Sequence, residues 1–231
     1  SVVIAYDVRH KSKEFAEFTA SIFAANGINV FISKDILATP ITSYAIRKLK
    51  ADAGVIITAS HNPPEYNGYK AYASNGGQIL EDFAQDIMKK NQELDYCDIK
   101  SVSFEKLLKE EKIKYIPESI YNSYIDDVFS KTINEEIDKD IKIVYSPFNG
   151  TGNKPVREIL KKRGFKKIYI VNEQESPDPD FTSLSFPNPE DPTSFELSEK
   201  LGKEVGADIL IATDPDADRL GLMVKDKNEY I

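Results

Sequence analysis

Val2-Val3-Ile4-Ala5-Tyr6, then Ser12 to Asn26 with Phe15, Phe18, Ile22 and Phe23 at helical spacing, then Gly27 and Ile28-Asn29-Val30-Phe31-Ile32: this stretch decides the fold class. A five-residue apolar run too short for a helix reads as a buried strand, and the spacing that follows reads as an amphipathic helix. Ser12 is placed to cap the helix start, and Gly27 to end it before the next strand. The same alternation continues outward. Strands are expected at Gly54–Thr58, Tyr69–Ala73, Ile141–Tyr145, Lys167–Val171, Ile209–Ala212 and Leu220–Val224. Helices are expected at Ile41–Ala51, Glu81–Lys90, Pro117–Thr132, Lys154–Arg163 and Thr193–Val205. Thr39-Pro40 reads as a cap with a first-turn proline, and Gly164 as a second glycine helix end. Strands alternating with helices define an α/β chain with a largely parallel sheet.

The pattern runs twice. We expect two consecutive α/β/α domains, residues 1–135 and 136–231, each a mostly parallel mixed sheet flanked by helices. The boundary is placed in the charged segment Lys131–Asp140. The Pro-, Asp-, Asn- and Ser-rich stretch Asn172–Pro192 reads as a long ordered loop. Both chain ends fall in strand-like patterns, with a hairpin turn expected over Asp226-Lys227-Asn228-Glu229, so a fragment of a longer protein is expected.

Composition narrows the classes. The 231 residues are 41% hydrophobic and 29% charged, with net charge −8, which suits a globular domain and argues against a nucleic-acid partner. No apolar run approaches the ~20 residues of a membrane span, and no secretory leader is read. The single cysteine, Cys97, excludes an internal disulfide, fits a cytoplasmic setting and is expected as a small, partly buried residue.

Two clusters carry chemistry. Thr213-Asp214-Pro215-Asp216-Ala217-Asp218-Arg219 puts three carboxylates at alternate positions after an apolar run. Such charges repel unless a cation sits among them, and an all-oxygen set suits a hard divalent ion, Mg2+ first. An EF-hand loop is rejected, because its Gly and Glu positions hold Arg219 and Lys225. Two alternatives stand beside the cation site: an acidic solvated turn, and a phosphatase using Asp214 as nucleophile, which Asp218 at the fifth position disfavours. The second cluster is Thr58-Ala59-Ser60-His61-Asn62-Pro63-Pro64-Glu65-Tyr66-Asn67-Gly68-Tyr69-Lys70. It sets Ser60 at the carboxyl end of a strand, where α/β folds place ligands. His61 stands beside it, and the Asn67-Gly68 turn returns Lys70 toward it. A polar surface turn with a solvated lysine is the plain alternative.

Thr58-Ala59-Ser60-His61-Asn62-Pro63 with Asn67-Gly68-Tyr69-Lys70 resembles the phosphoserine loop of the α-D-phosphohexomutases. Asp214-Pro215-Asp216-Ala217-Asp218-Arg219 resembles that family's metal loop, and Tyr145-Ser146-Pro147-Phe148-Asn149-Gly150-Thr151-Gly152 its second-domain opening turn. Pro177-Asp178-Pro179-Asp180-Phe181 and Phe186-Pro187-Asn188-Pro189-Glu190 resemble the phosphoglucomutase branch. The resemblance implies a phosphoryl carrier at Ser60, and Mg2+ held by the Ser60 phosphate, Asp214, Asp216 and Asp218. It implies Lys70 as general acid/base, His61 as a tuning or orienting group, and Arg219 as a phosphate-binding residue. Arg9 is read as a further phosphate-site residue that supports the Ser60 loop. The implied reaction interconverts hexose 1- and 6-phosphates through glucose 1,6-bisphosphate, with a sugar phosphate as substrate. Phosphomannomutase, phosphopentomutase and phosphoglucosamine mutase are the alternatives within the family, and a non-catalytic sugar-phosphate or metal-binding module the alternative outside it. Family features absent from this chain lead us to expect missing domains III and IV, a missing N-terminal segment and poor activity on sugar.

Overall fold

The structure is a computed structural model and describes residues 1–227 and 229–231. Its first sheet contains β1 (Val2–Tyr6), β2 (Val30–Ile32), β3 (Ala53–Ile57), β4 (Tyr69–Ala73) and β5 (Ile113–Tyr115), in the spatial order β4-β3-β1-β2-β5. All neighbours are parallel except β4, which returns antiparallel along β3 with Lys70 opposite Ile56. The second sheet contains β6 (Lys142–Ser146), β7 (Lys167–Ile170), β8 (Ile209–Thr213), β9 (Leu220–Asp226) and β10 (Glu229–Tyr230), in the order β10-β9-β8-β6-β7. Its first four strands repeat the arrangement of β1 to β4, with β9 antiparallel to β8. The α/β class and the doubled pattern are both observed. Of the expected terminal hairpin, the β9–β10 pairing is present, and Asn228 lies outside the described residues.

β1 is buried along its whole length because helices cover both sheet faces. Val2, Ile4 and Tyr6 face one core with α1 (Ser12–Ala25), while Val3 and Ala5 face the other with α2 (Thr39–Lys48). The buried face of α1 differs from expectation. Phe15 and Phe18 are 48% and 60% exposed, and Ser12, Ala16, Ala20, Ser21 and Ala24 face inward. Small side chains let the helix axis lie close to the sheet, a preference that hydrophobicity alone does not reveal.

Caps are the second correction. Ser12 is inside the first turn and its hydroxyl donates to Asp7, while left-handed Lys11 occupies the cap position. Thr39 is likewise the first helical residue, after Ala38. Gly27 and Gly164 do adopt the positive φ of helix-ending glycines.

Five further helices are α3 (Glu81–Gln92), α4 (Phe104–Lys109), α5 (Glu118–Ser130), α6 (Asn153–Lys162) and α7 (Glu196–Val205). α4 and β5 were not expected from the sequence. They are six and three residues long and bury only Leu107 and Ile113, too little to show a period. The helix expected from Thr193 begins at Glu196, after a single 3-10 turn at Pro192–Phe195. Cys97 is exposed rather than partly buried. No described helix is long and apolar enough to cross a membrane.

α5 packs on α2 and ends at Ser130, and β6 begins at Lys142. α6 of the second half packs against α5 of the first, with the Tyr121 hydroxyl donating to Glu158 at 2.8 Å. The Asn172–Pro192 loop is ordered and reaches back to the first half. Phe181 is 1% exposed and lies beneath the Arg9 guanidinium, 5.1 Å from ring centroid to Cζ. Phe186 meets the His61 ring edge to face at 5.8 Å.

Candidate phosphoryl-transfer site

The two loops named by their chemistry occupy equivalent places in the repeated fold. Each follows the third strand of its sheet and precedes the antiparallel fourth. The halves dock so that these loops meet. The Ser60 hydroxyl donates to Asp214 Oδ2 at 2.8 Å, joining residues 154 positions apart. Ser60 adopts a left-handed backbone, φ 53°, with its N–H held by Thr58 Oγ1 at 2.9 Å. A non-glycine residue in that conformation persists only when its surroundings enforce it.

Arg9 provides that enforcement. Its guanidinium donates to the carbonyls of Ser60 (2.8 Å), Pro63 (2.7 Å), Tyr66 (3.1 Å) and Asn62. Its Nε lies 3.3 Å from Asp7 Oδ2, and both side chains are fully buried. The expected support of the loop fits this geometry. The expected phosphate contact does not, because the N–H groups of Nη1 and Nη2 are already spent on the backbone.

The three aspartates converge. Carboxylate oxygens of Asp214, Asp216 and Asp218 lie within 4.8 Å of one another. Asp214 Oδ1 accepts from the backbone N–H of Asp218 and Arg219 at 3.1 and 3.0 Å. Asp216 Oδ2 accepts from Lys70 at 2.8 Å and from the Thr39 hydroxyl at 3.0 Å, whereas its buried Oδ1 has no partner. Burial, with the charge of Asp216 beside it, pushes the Asp214 carboxyl up to about 8. Burial acts the same way on Asp216, but the Lys70 charge, together with hydrogen bonding to its neighbours, outweighs it and holds that carboxyl below the usual range. A buried orphan oxygen within a cluster of hard oxygen donors fits a divalent cation.

Lys70 reaches both Asp216 and Asp218, the latter at 3.1 Å. Burial works against its charge, yet the two carboxylates prevail and keep it protonated above the ordinary lysine range. It therefore stands here as a cation and hydrogen-bond donor rather than as a free base. His61 Nδ1 lies 3.4 Å from Ser60 Oγ, and burial, then Arg219, keeps the ring's pKa below the ordinary imidazole value. Arg219 pairs with Glu190 at 3.0 Å on the half-exposed rim.

Sequence reasoning missed two supports. Thr39, read as a cap, instead bonds Asp216 through its hydroxyl and, at 2.9 Å, through its N–H. The opening turn of the second half carries the metal-type loop: Thr151 N–H and hydroxyl both donate to the Pro215 carbonyl, at 2.8 and 3.0 Å. A Cβ on Gly150 would sit 2.4 Å from Pro215 Cα, with backbone that cannot yield. Gly150→Ala is expected to displace the Asp214–Asp218 loop and weaken divalent-cation binding about tenfold or more, read by titration calorimetry.

Fold and site together define a two-domain α/β scaffold with a serine–carboxylate centre between its halves. Two family models match: phosphoglucomutase/phosphomannomutase alpha/beta/alpha domain I over residues 1–96 and domain II over residues 122–227. The chain belongs to the phosphoglucomutase/phosphomannomutase family. It is 36% identical over 228 residues to a phosphoglucomutase of Staphylococcus haemolyticus, covering 99% of this chain and 41% of that protein. A Staphylococcus epidermidis phosphoglucomutase is 38% identical over 228 residues, covering 97% of this chain and 41% of that protein. A phosphoglucomutase/phosphomannomutase family protein of Burkholderia thailandensis shares the fold at TM-score 0.77 and 24% identity, over 100% of this chain and 47% of that one. The chain thus spans about two fifths of the length of these curated relatives.

Proposed function

We propose that this chain is the phosphoryl-carrying part of a phosphoglucomutase-type enzyme, with Ser60 as carrier and Asp214, Asp216 and Asp218 as Mg2+ ligands. The observation that carries the reading is the 2.8 Å contact of Ser60 Oγ with Asp214 across the two halves. A pure binding module has no use for a strained serine hydroxyl held against a cation-type cluster. Mg2+ bound there would neutralise phosphoryl oxygens and stabilise charge during transfer.

The chain's own residues divide the remaining work. Arg9 and Thr58 fix the Ser60 backbone, so Oγ is aimed before substrate arrives. In the forward half-reaction the Ser60 Oγ–P bond breaks as a sugar hydroxyl oxygen bonds to phosphorus. The proton that leaves the sugar hydroxyl ends on the released serine oxygen, so the step balances with no outside acid or base. Lys70, held charged, offsets negative charge at the transferred group, and it can relay the proton by taking from the sugar the one it gives to the serine oxygen. His61, edge-on to Phe186, shields the carrier on one side. Glucose 1,6-bisphosphate fits as the intermediate that loads and unloads Ser60. Parallel assays of the full-length protein on glucose, mannose and glucosamine 1-phosphates, and on ribose 1-phosphate, assign the sugar.

The test is intact-mass spectrometry of this chain after incubation with glucose 1,6-bisphosphate and Mg2+. One added phosphate, mapped to Ser60, is expected. With EDTA in place of Mg2+, uptake should fall to background. Phosphate on Asp214, or none on a chain that binds Mg2+, would overturn the reading.

A further inference from the structure

We infer that Thr39 is a positioning residue for the cation site. The inference rests on the cation reading above and extends it to a residue outside the acidic loop.

Asp214, Asp216 and Asp218 all belong to the second half, but the groups that orient Asp216 come from the first. Thr39 opens α2, so its N–H is one of the helix's unpaired donors, and it is satisfied by the Asp216 carbonyl at 2.9 Å. The Thr39 hydroxyl binds Asp216 Oδ2 at 3.0 Å, and Lys70 binds the same oxygen at 2.8 Å. With Oδ2 doubly engaged, the carboxylate cannot rotate freely, and Oδ1 is the oxygen left without a partner. The positive end of α2 also favours negative charge at this point. Thr39 is 7% exposed and Asp216 fully buried, so water does not replace the lost donor cheaply. Loss of the Thr39 contacts therefore frees Asp216 and weakens the site.

The experiment is Mg2+ titration of this chain by calorimetry, with Thr39→Val, Thr39→Ser and Asp218→Asn measured beside the wild type. Thr39→Val removes the hydroxyl at nearly constant shape and is expected to weaken Mg2+ binding about ten- to a hundredfold, as outer supports of metal ligands do. Thr39→Ser keeps the hydroxyl and should restore most of the affinity, which a purely structural role for the side chain would not predict. If Thr39→Val fails to fold, Thr39→Ala gives the same comparison with a smaller side chain. Wild-type affinity in Thr39→Val, with affinity lost in Asp218→Asn, overturns the role of Thr39 and leaves the cation reading intact. No loss in Asp218→Asn either overturns the cation reading itself.

Discussion

In the Ser60→Ala variant, no phosphate is taken up from glucose 1,6-bisphosphate, while Mg2+ still binds through the three aspartates. Alanine removes the acceptor oxygen and little else: the left-handed backbone at φ 53° is held by Arg9 and Thr58 rather than by the hydroxyl. Under the proposed function, the same change in a mutase that carries this chain should reduce turnover on the order of a millionfold, the scale seen when a covalent nucleophile is deleted from a hydrolase. Mass spectrometry checks the first effect and a coupled assay the second. Turnover within about tenfold of wild type would mean that the phosphoryl group travels by another route. Ser60→Asp would be a poor substitute, because its carboxylate would face Asp214 at the distance now spanned by a hydrogen bond.

Arg9→Met should produce the largest loss of stability of any single change near the site, about 3–5 kcal/mol, the cost of breaking a fully buried ion pair. The methionine stem fills the space beside Phe181 but leaves the Asp7 carboxyl buried without its partner. Burial already pushes the Asp7 carboxyl up, and the hydrogen bonds from Ser12, Thr58 and the Arg9 backbone, with the Arg9 charge, oppose it. Four loop carbonyls lose their donor at the same time. Urea denaturation reads the loss, and limited proteolysis reads the freed segment between Ser60 and Tyr66. Arg9→Lys should lie between, since one ammonium cannot span carbonyls that a planar guanidinium bridges. A loss under about 1 kcal/mol in Arg9→Met would show that the ion pair is matched by its desolvation cost and that the loop holds itself.

The two predictions address different links. Ser60→Ala removes a reacting atom and spares the fold. Arg9→Met spares the reacting atom and removes the strut that aims it. If both changes abolish phosphate uptake but only the second unfolds early, chemistry and positioning are separated cleanly.

Much of this protein was legible in its residues. The strand at Val2–Tyr6, the doubled α/β pattern and the two chemical clusters are local properties: periodicity, turn chemistry and charge spacing all act within a few residues. The type of ligand was also local, because three alternating carboxylates constrain a cation whatever lies around them. Other features were decided only by tertiary structure. Phe15 and Phe18 have helical spacing, yet the sheet selected the alanine face of α1, since close packing rewards fit over hydrophobicity. β5 exists because β2 offers it an edge, and three residues carry no period of their own. Arg9 could be placed beside the Ser60 loop, but not counted onto four carbonyls. Thr39 has every mark of a helix cap and is instead the partner of Asp216, 177 positions away. Contacts between residues so far apart leave no imprint on spacing; they arise when two repeats, each folded by its own local rules, dock carboxyl edge to carboxyl edge.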